Sequence, residues 1–318
     1  MKKGKKPGQI EFKNVTFAYE QDRVLKSINF TANPGENALG PVYLRCDEGN
    51  PGKLFSQIEF NIKGNTISNG NAQDTHYDNL CIMYTGTHGI GSSSTKNLTV
   101  TNCDIGWIGG TIQRYVDGKA GRLGNGVEIY GSCDGYLVHN NYIYQCYDAG
   151  ITNQNQDDVS DSSRTMRNVS FTNNLVERCE MSIEYYLGAQ MKPTESIIEN
   201  FLIEGNILRL AGYGWGDQHP EPAWAAHIKS WWMHQNEAYN FTIRRNIFDR
   251  STFDLLNIGY RDSYSAPKME GNTYIQYLNA DGGHLGQDRK LYRYDKEFPS
   301  VMERVFGERR GKYIFISR

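Results

Sequence analysis

YLVHNNYI, from Tyr136 to Ile143, is one copy of an eight-residue phrase: apolar, any, apolar, any, any, Asn, any, apolar. The others are FNIKGNTI (Phe60 to Ile67), LTVTNCDI (Leu98 to Ile105), VSFTNNLV (Val169 to Val176), FLIEGNIL (Phe201 to Leu208), FTIRRNIF (Phe241 to Phe248) and a weaker PKMEGNTY (Pro267 to Tyr274). Copies follow one another at intervals of 26 to 40 residues. The alternation before each Asn has period two, the mark of a half-buried strand. Asn then sits where the strand breaks, because it tolerates left-handed backbone and bonds its own neighbours. Stacked in successive turns of a coil, the amides of Asn65, Asn141, Asn174, Asn206 and Asn246 can donate and accept along the stack, as in cross-β ladders.

A further short alternating run lies between copies: LCIMYTG (Leu80 to Gly86), GVEIYGS (Gly126 to Ser132), AGITNQN (Ala149 to Asn155), MSIEYYLG (Met181 to Gly188), AHIKSWW (Ala226 to Trp232) and LLNIGY (Leu255 to Tyr260). Three strands per copy make one rung of a solenoid. Composition agrees: 33 Gly, 28 Asn and 21 Tyr against 9 Pro in 318 residues suit many short strands and tight turns. The charge of −2 offers no basic face for nucleic acid. No apolar run approaches the roughly 20 residues of a membrane helix. The basic start, Met1 to Lys6, is followed by no apolar segment, so no signal peptide is expected. The six cysteines form no CxxC pair and read as small buried hydrophobes.

From Leu54 to Gly286 this pattern resembles the parallel β-helix repeat family of carbohydrate-active proteins, which includes polysaccharide lyases, glycoside hydrolases and alginate epimerases. The resemblance implies an all-β, right-handed parallel β-helix of seven or more rungs. It implies a polysaccharide or oligosaccharide as partner, bound along one loop-walled face, and a secreted or cell-surface location. The expected organisation is a leader over 1–53, the coil over 54–290 and a C-terminal cap over 291–318. In the cap, Glu297 to Glu308 reads as a helix and Lys312 to Ser317 as a strand.

The leader reads differently. GQIEFKNVTFAYEQDRVLKSINFTANPGENALGP (Gly8 to Pro41) resembles the opening of an ABC-transporter nucleotide-binding domain, in which an aromatic at the place of Tyr19 stacks on adenine. After Gly40 that family needs GxxxxGK[ST]. Here the chain reads Pro41-Val42-Tyr43-Leu44-Arg45. Without glycine amides and a Lys there is no phosphate cradle, and an ATPase is not expected.

Long connections mark the working face of the coil. Trp107 to Asn125, Asn155 to Asn168, Gly188 to Asn200 and Ala211 to Ala225 all flank the third-strand runs, so those strands should floor a groove. Setting Val127, Ile129, Ile151, Ile183 and Ile228 inward turns Glu128, Tyr130, Thr152, Glu184, His227, Lys229 and Trp231 outward. Aligning the Ile residues puts Tyr130, Thr152, Glu184 and Lys229 in one column, with Glu128 and His227 in the next. The strand spacing then separates Glu128 from Glu184 by about 10–12 Å. Asp148 is a further candidate carboxylate.

For a hydrolase, Glu184, Glu128 and Asp148 supply acid and base. For a lyase, His227 or Tyr130 is the base and Lys229 the cation that steadies an enolate. The carboxylates outnumber the cations on this face, which favours hydrolysis. Tyr186, Trp215, Trp224 and Trp231 offer flat rings to sugar C–H groups. Asp217 and His219, with Glu221 in the same loop, can meet hydroxyls. No cofactor is required. Asp157, Asp158 and Asp161 have the oxygen ligands a calcium ion would use. The alternative is a coil that binds glycan, or serves as an adhesin-like scaffold, without catalysis.

Overall fold

The structure, a computed structural model, describes residues 10–19, 22–32, 44–46, 48–56, 63–71, 73–155, 165–187, 196–219, 222–231, 236–260, 262 and 265–317. The chain divides into two compact units, residues 1–60 and 61–318. In the first, strands Ile10–Tyr19, Asp22–Ala32 and Leu44–Cys46 form an antiparallel sheet. Residues 33–43, where the sequence would have to build a phosphate loop, lie outside the described residues, as do Asp157, Asp158, Asp161, Glu221 and Trp232.

The second unit is all-β apart from short helices. Its main body is three sheets of nine, seven and eight strands, which the chain visits in turn. Val127–Tyr130 lies in the nine-stranded sheet, Cys133–His139 in the seven-stranded and Tyr142–Cys146 in the eight-stranded one. Ala149–Asn155 then returns to the first and pairs parallel with Val127–Tyr130. Pairing within the three sheets is parallel except where Lys290–Arg293 turns back along Asp281–Leu285. Alternation drives the packing, since each strand puts one face of Val, Ile, Leu and Phe into a shared core. Leu98, Tyr136, Val169, Phe201 and Phe241 occupy one register position on successive strands. Phe201 stacks on Phe241 at 4.7 Å and meets Phe171 edge-on at 5.3 Å.

The Asn of the phrase closes the corner between the second and third sheets. Asn141 Nδ2 donates to Asn174 Oδ1 (3.0 Å), Asn174 to Asn206 (3.0 Å), Asn206 to Asn246 (2.9 Å) and Asn246 to Asn272 (3.1 Å). Each acceptor oxygen also takes the backbone N–H of the preceding Asn. Each amide also donates to a strand carbonyl, as Asn206 does to Phe171 O. The ladder ends on Glu308, whose Oε2 accepts from Asn272 Nδ2 at 2.7 Å.

Asn65 is not in this ladder. It precedes Ile67–Gly70 in the nine-stranded sheet, and its Oδ1 accepts from Thr87 Oγ1 (2.6 Å) and the His88 amide (3.1 Å). The FNIKGNTI copy is therefore out of phase with the rest. Its neighbour LCIMYTG is too: Cys81–Thr85 pairs with Asp104–Ile108 in the eight-stranded sheet, and Ile90–Ser92 takes the place expected for it.

After the last turn, Phe298–Phe306 is a helix that buries Phe298, Val301, Met302 and Phe306, spaced for one apolar face. Gly307, at φ 67°, supplies its left-handed C-cap. Lys312–Ile316 then pairs parallel with Thr273–Tyr277. Among the described residues no helix is long and apolar enough to cross a membrane. Five of the six cysteines are buried, and all six are free thiols.

Candidate active site

The nine-stranded sheet carries the candidate residues, and its register sets their columns. Val127 pairs with Ile151, Ile151 with Ile183 and Ile183 with Ile228. Glu128, Thr152, Glu184, Lys229, Asn257 and His284 therefore form one column. Glu128 joins Glu184, where the sequence reading had set it apart, because Val127 and not Ile129 is the partner of Ile151. Two steps of strand spacing separate them, about 9.6 Å. Tyr130 moves to the next outward column with Gln154 and Tyr186. Tyr130 is exposed, whereas Tyr186 is buried.

His227 departs further from expectation. It is fully buried, with its ring 6.1 Å from Phe248 and Nδ1 3.0 Å from Ser182 Oγ. Ser182, its register partner, is buried too, so strict in–out alternation fails at this position. Gly150, which shares this register position, shows the constraint: a Cβ on it would stand 2.5 Å from Val176 Cγ1. Burial holds the His227 imidazole neutral, its pKa pushed down to about 4. It cannot be a groove base.

Glu184 is the most elaborated side chain of the floor. Its Oε2 accepts from Thr152 Oγ1 (2.9 Å) and Gln154 Nε2 (2.7 Å), and its Oε1 accepts from Trp231 Nε1. Burial raises its pKa, and the donors from Trp231 and Thr152 oppose that rise. Glu128 is held by Asn125 Nδ2 at 2.6 Å and by His88, whose Nδ1 stands 2.6 Å from Oε2. The same Nδ1 is 3.1 Å from the Asn125 amide nitrogen. The Asn125 backbone N–H donates to Nδ1, so Nδ1 is the acceptor in that contact.

Asp148 and Glu180 immediately precede two successive floor strands, Ala149–Asn155 and Met181–Leu187. Asp148 is 4% exposed, and no donor among the described residues reaches its Oδ1. Burial lifts its pKa well above the ordinary range, and repulsion from Glu184, Glu128 and Glu180 lifts it further.

An aromatic wall stands over this cluster. Trp215 meets the Tyr147 ring at 5.9 Å, Tyr147 meets His219 at 5.2 Å, His219 meets Trp224 at 4.9 Å and Trp224 meets Trp231 at 4.9 Å. Burial and then the Arg122 charge push the pKa of His219 down to about 4, so its ring is neutral. A recess of about 200 Å³ opens among Glu180, Asp217, His219 and Phe253. Trp231 also lies under the Lys229 ammonium, 4.5 Å from the ring centroid. Lys229 is buried, which lowers its pKa to about 8, helped by Arg289 and opposed by Asp254, Glu184 and Glu180.

Sequence reasoning missed His88, Glu180, Asp254, His284 and Arg289. His284 was legible only as the outward residue of a strand that pairs with Asp254–Ile258, and that run had not been aligned beyond Tyr260. His88 and Arg289 come from turns, where no periodicity points. Among the described residues no cluster of three or more His, Cys, Asp or Glu is placed to hold a metal ion. No family model, curated protein or solved structure matches the chain.

Proposed function

We propose that the chain is a carbohydrate-active enzyme, a glycoside hydrolase acting on an extracellular polysaccharide, with its three sheets the faces of a right-handed parallel β-helix. One observation carries the reading: burial and three carboxylates beside it, Glu184, Glu128 and Glu180, raise the pKa of Asp148 well above the ordinary range, below a wall of aromatic rings. A carboxyl group raised in this way suits the acid of glycosidic cleavage, and Glu184, where donors from Trp231 and Thr152 oppose the rise that burial causes, suits its base. Asp148 donates its proton to the leaving oxygen. Glu184, whose three donors favour the ionised form, draws a proton from water. The Trp rings seat sugar faces.

Incubation with a panel of polysaccharides tests this. New reducing ends without ultraviolet-absorbing unsaturated products support hydrolysis; unsaturated products assign a lyase. Glycan binding without cleavage is the second reading, favoured by Trp231 lying against both Glu184 and Lys229. Bound glycan with no new ends of either kind supports it.

A further inference from the structure

We infer that Cys146 and Cys179 are a disulfide site, at which oxidation joins two successive strands of the eight-stranded sheet at the approach to Asp148 and Glu180. The register brings them together. Tyr142 pairs with Leu175, Ile143 with Val176 and Tyr144 with Glu177, and the same count carried two residues on sets Cys146 against Cys179. The flanking strands agree. Cys146 pairs with Ile108, and the Tyr147 amide bonds Ile108 O as the Gly212 amide bonds Cys179 O, both at 2.8 Å. Neighbouring parallel strands stand about 4.8 Å apart, inside the roughly 4.4–6.8 Å that a disulfide asks of its two Cα atoms. The side chains run alongside each other as well. Cys146 Sγ donates to Tyr144 O (3.8 Å) and Cys179 Sγ to Glu177 O (3.5 Å), the carbonyls of two register partners. The two thiols lie within hydrogen-bond reach of one another.

No other cysteine is placed in this way. Cys81 pairs with Asp104, Cys133 with Met166 and Thr95, the Cys103 amide donates to Asn141 Oδ1, and Cys46 lies in the first unit. Cys146 and Cys179 are both fully buried. Burial pushes the Cys146 thiol well above its ordinary pKa, and Cys179 beside it adds to the rise. The attacking thiolate is therefore scarce once the core has closed, and the bond forms while the strands are still coming together. One cysteine thiolate attacks a small disulfide such as oxidised glutathione and releases one glutathione thiolate. The second cysteine then displaces the other glutathione from the mixed disulfide. The two protein thiols have lost two protons and two electrons, and one glutathione disulfide has become two thiols. The loop so closed spans 33 positions and carries Asp148, Thr152 and Gln154, and Glu180 follows Cys179 directly. The cross-link ties together the two segments that deliver Asp148 and Glu180 to the nine-stranded sheet, whatever reaction that sheet supports.

The test is refolding of the full chain from urea in a glutathione redox buffer, against refolding in excess dithiothreitol. Free thiols are then alkylated, and the protein is digested and mapped by mass. The oxidised sample is expected to yield a linked peptide pair containing Cys146 and Cys179, two hydrogens lighter than the sum of its parts, with Cys46, Cys81, Cys103 and Cys133 alkylated. Closing a loop of this size is expected to raise the melting midpoint of the oxidised protein over the reduced one by at least about 4 °C. That difference should vanish in Cys179→Ala and persist in Cys133→Ala. If either variant fails to fold, the peptide map of the unaltered chain decides. Six alkylated thiols, a cross-link between other cysteines, or a midpoint that oxidation does not move overturns the site.

Discussion

Asp148 works against the fold that holds it. Its folded pKa lies above the unfolded value, so the unfolded chain gives up this proton more readily. Stability from this residue is full at acidic pH and is lost as pH rises from the unfolded value of about 3.9 through the folded one. Asp148→Asn keeps the shape and removes the charge. It should raise the melting midpoint at pH 7 by a few degrees, about 1–2 kcal/mol, and lower turnover by about 10² to 10⁴. Calorimetry and reducing-end assays check the two halves separately, and a variant that is both less stable and fully active removes Asp148 from the acid role. Lys229 titrates in the other sense. Its folded pKa of about 8 means that its charge disappears above that pH, in the field of Arg289, Asp254, Glu184, Glu180 and His284. Its contribution to stability should therefore rise between about pH 8 and the unfolded value of about 10.4, and Lys229→Met should lose that rise. Melting midpoints of the two proteins that run parallel from pH 7 to pH 10 would sink the shift.

Strands and ladders explain what the sequence made legible. The buried ladder was readable because one residue type had to recur at one corner of each rung. A second ladder was not read. Asp74, Asn97, Asn168, Asn200 and Asn240 all have φ between 51° and 56° within strands of the seven-stranded sheet, and Asn240 and Asn200 pass amide bonds to Asn200 and Asn168 (2.9 and 3.1 Å). Its spacing was hidden because each residue sits mid-strand, where alternation predicts no turn. Register was the weakest inference. Choosing Ile129 over Val127 as the partner of Ile151 displaced Glu128 by one outward position, since a two-residue slip keeps every face and still looks right. The Asn ladders themselves are separable by mutation. Asn206→Ala removes the acceptor of the Asn174 backbone N–H and one acceptor of its Nδ2, and takes a donor from Phe171 O and from Asn246 Oδ1, in a fully buried corner. It should cost about 3–5 kcal/mol, or prevent folding outright. Asn200→Gly, on the exposed ladder, loses two solvent-side bonds, relieves left-handed strain and should stay within about 1 kcal/mol. Urea unfolding compares the two. Equal losses would mean that burial does not set the value of these ladders.

At the scale of the whole molecule the two units make different predictions. The first bears a nucleotide-domain resemblance that its chemistry does not support. At Leu44–Cys46 the chain is a strand paired with Ile28–Phe30, where a phosphate loop would instead be opening a helix whose N-terminus holds the anion. Titration with Mg-ATP should show no saturable binding to about 1 mM, and stoichiometric binding would revive the resemblance. In the second unit the nine-stranded sheet presents one outward column. From Glu128 to His284 the outward column crosses six strands, five steps of about 4.8 Å, or roughly 24 Å of floor. A chain lying along the sheet gains contacts with each added sugar until the floor is covered, and gains nothing beyond it. Affinity for an oligosaccharide series cut from a polysaccharide that binds should therefore rise with length and level off once the oligomer spans about 24 Å. A series that shows no dependence on length, or that is cut at the monomer and dimer stage as readily as at longer lengths, would assign the binding to a pocket instead of to the groove.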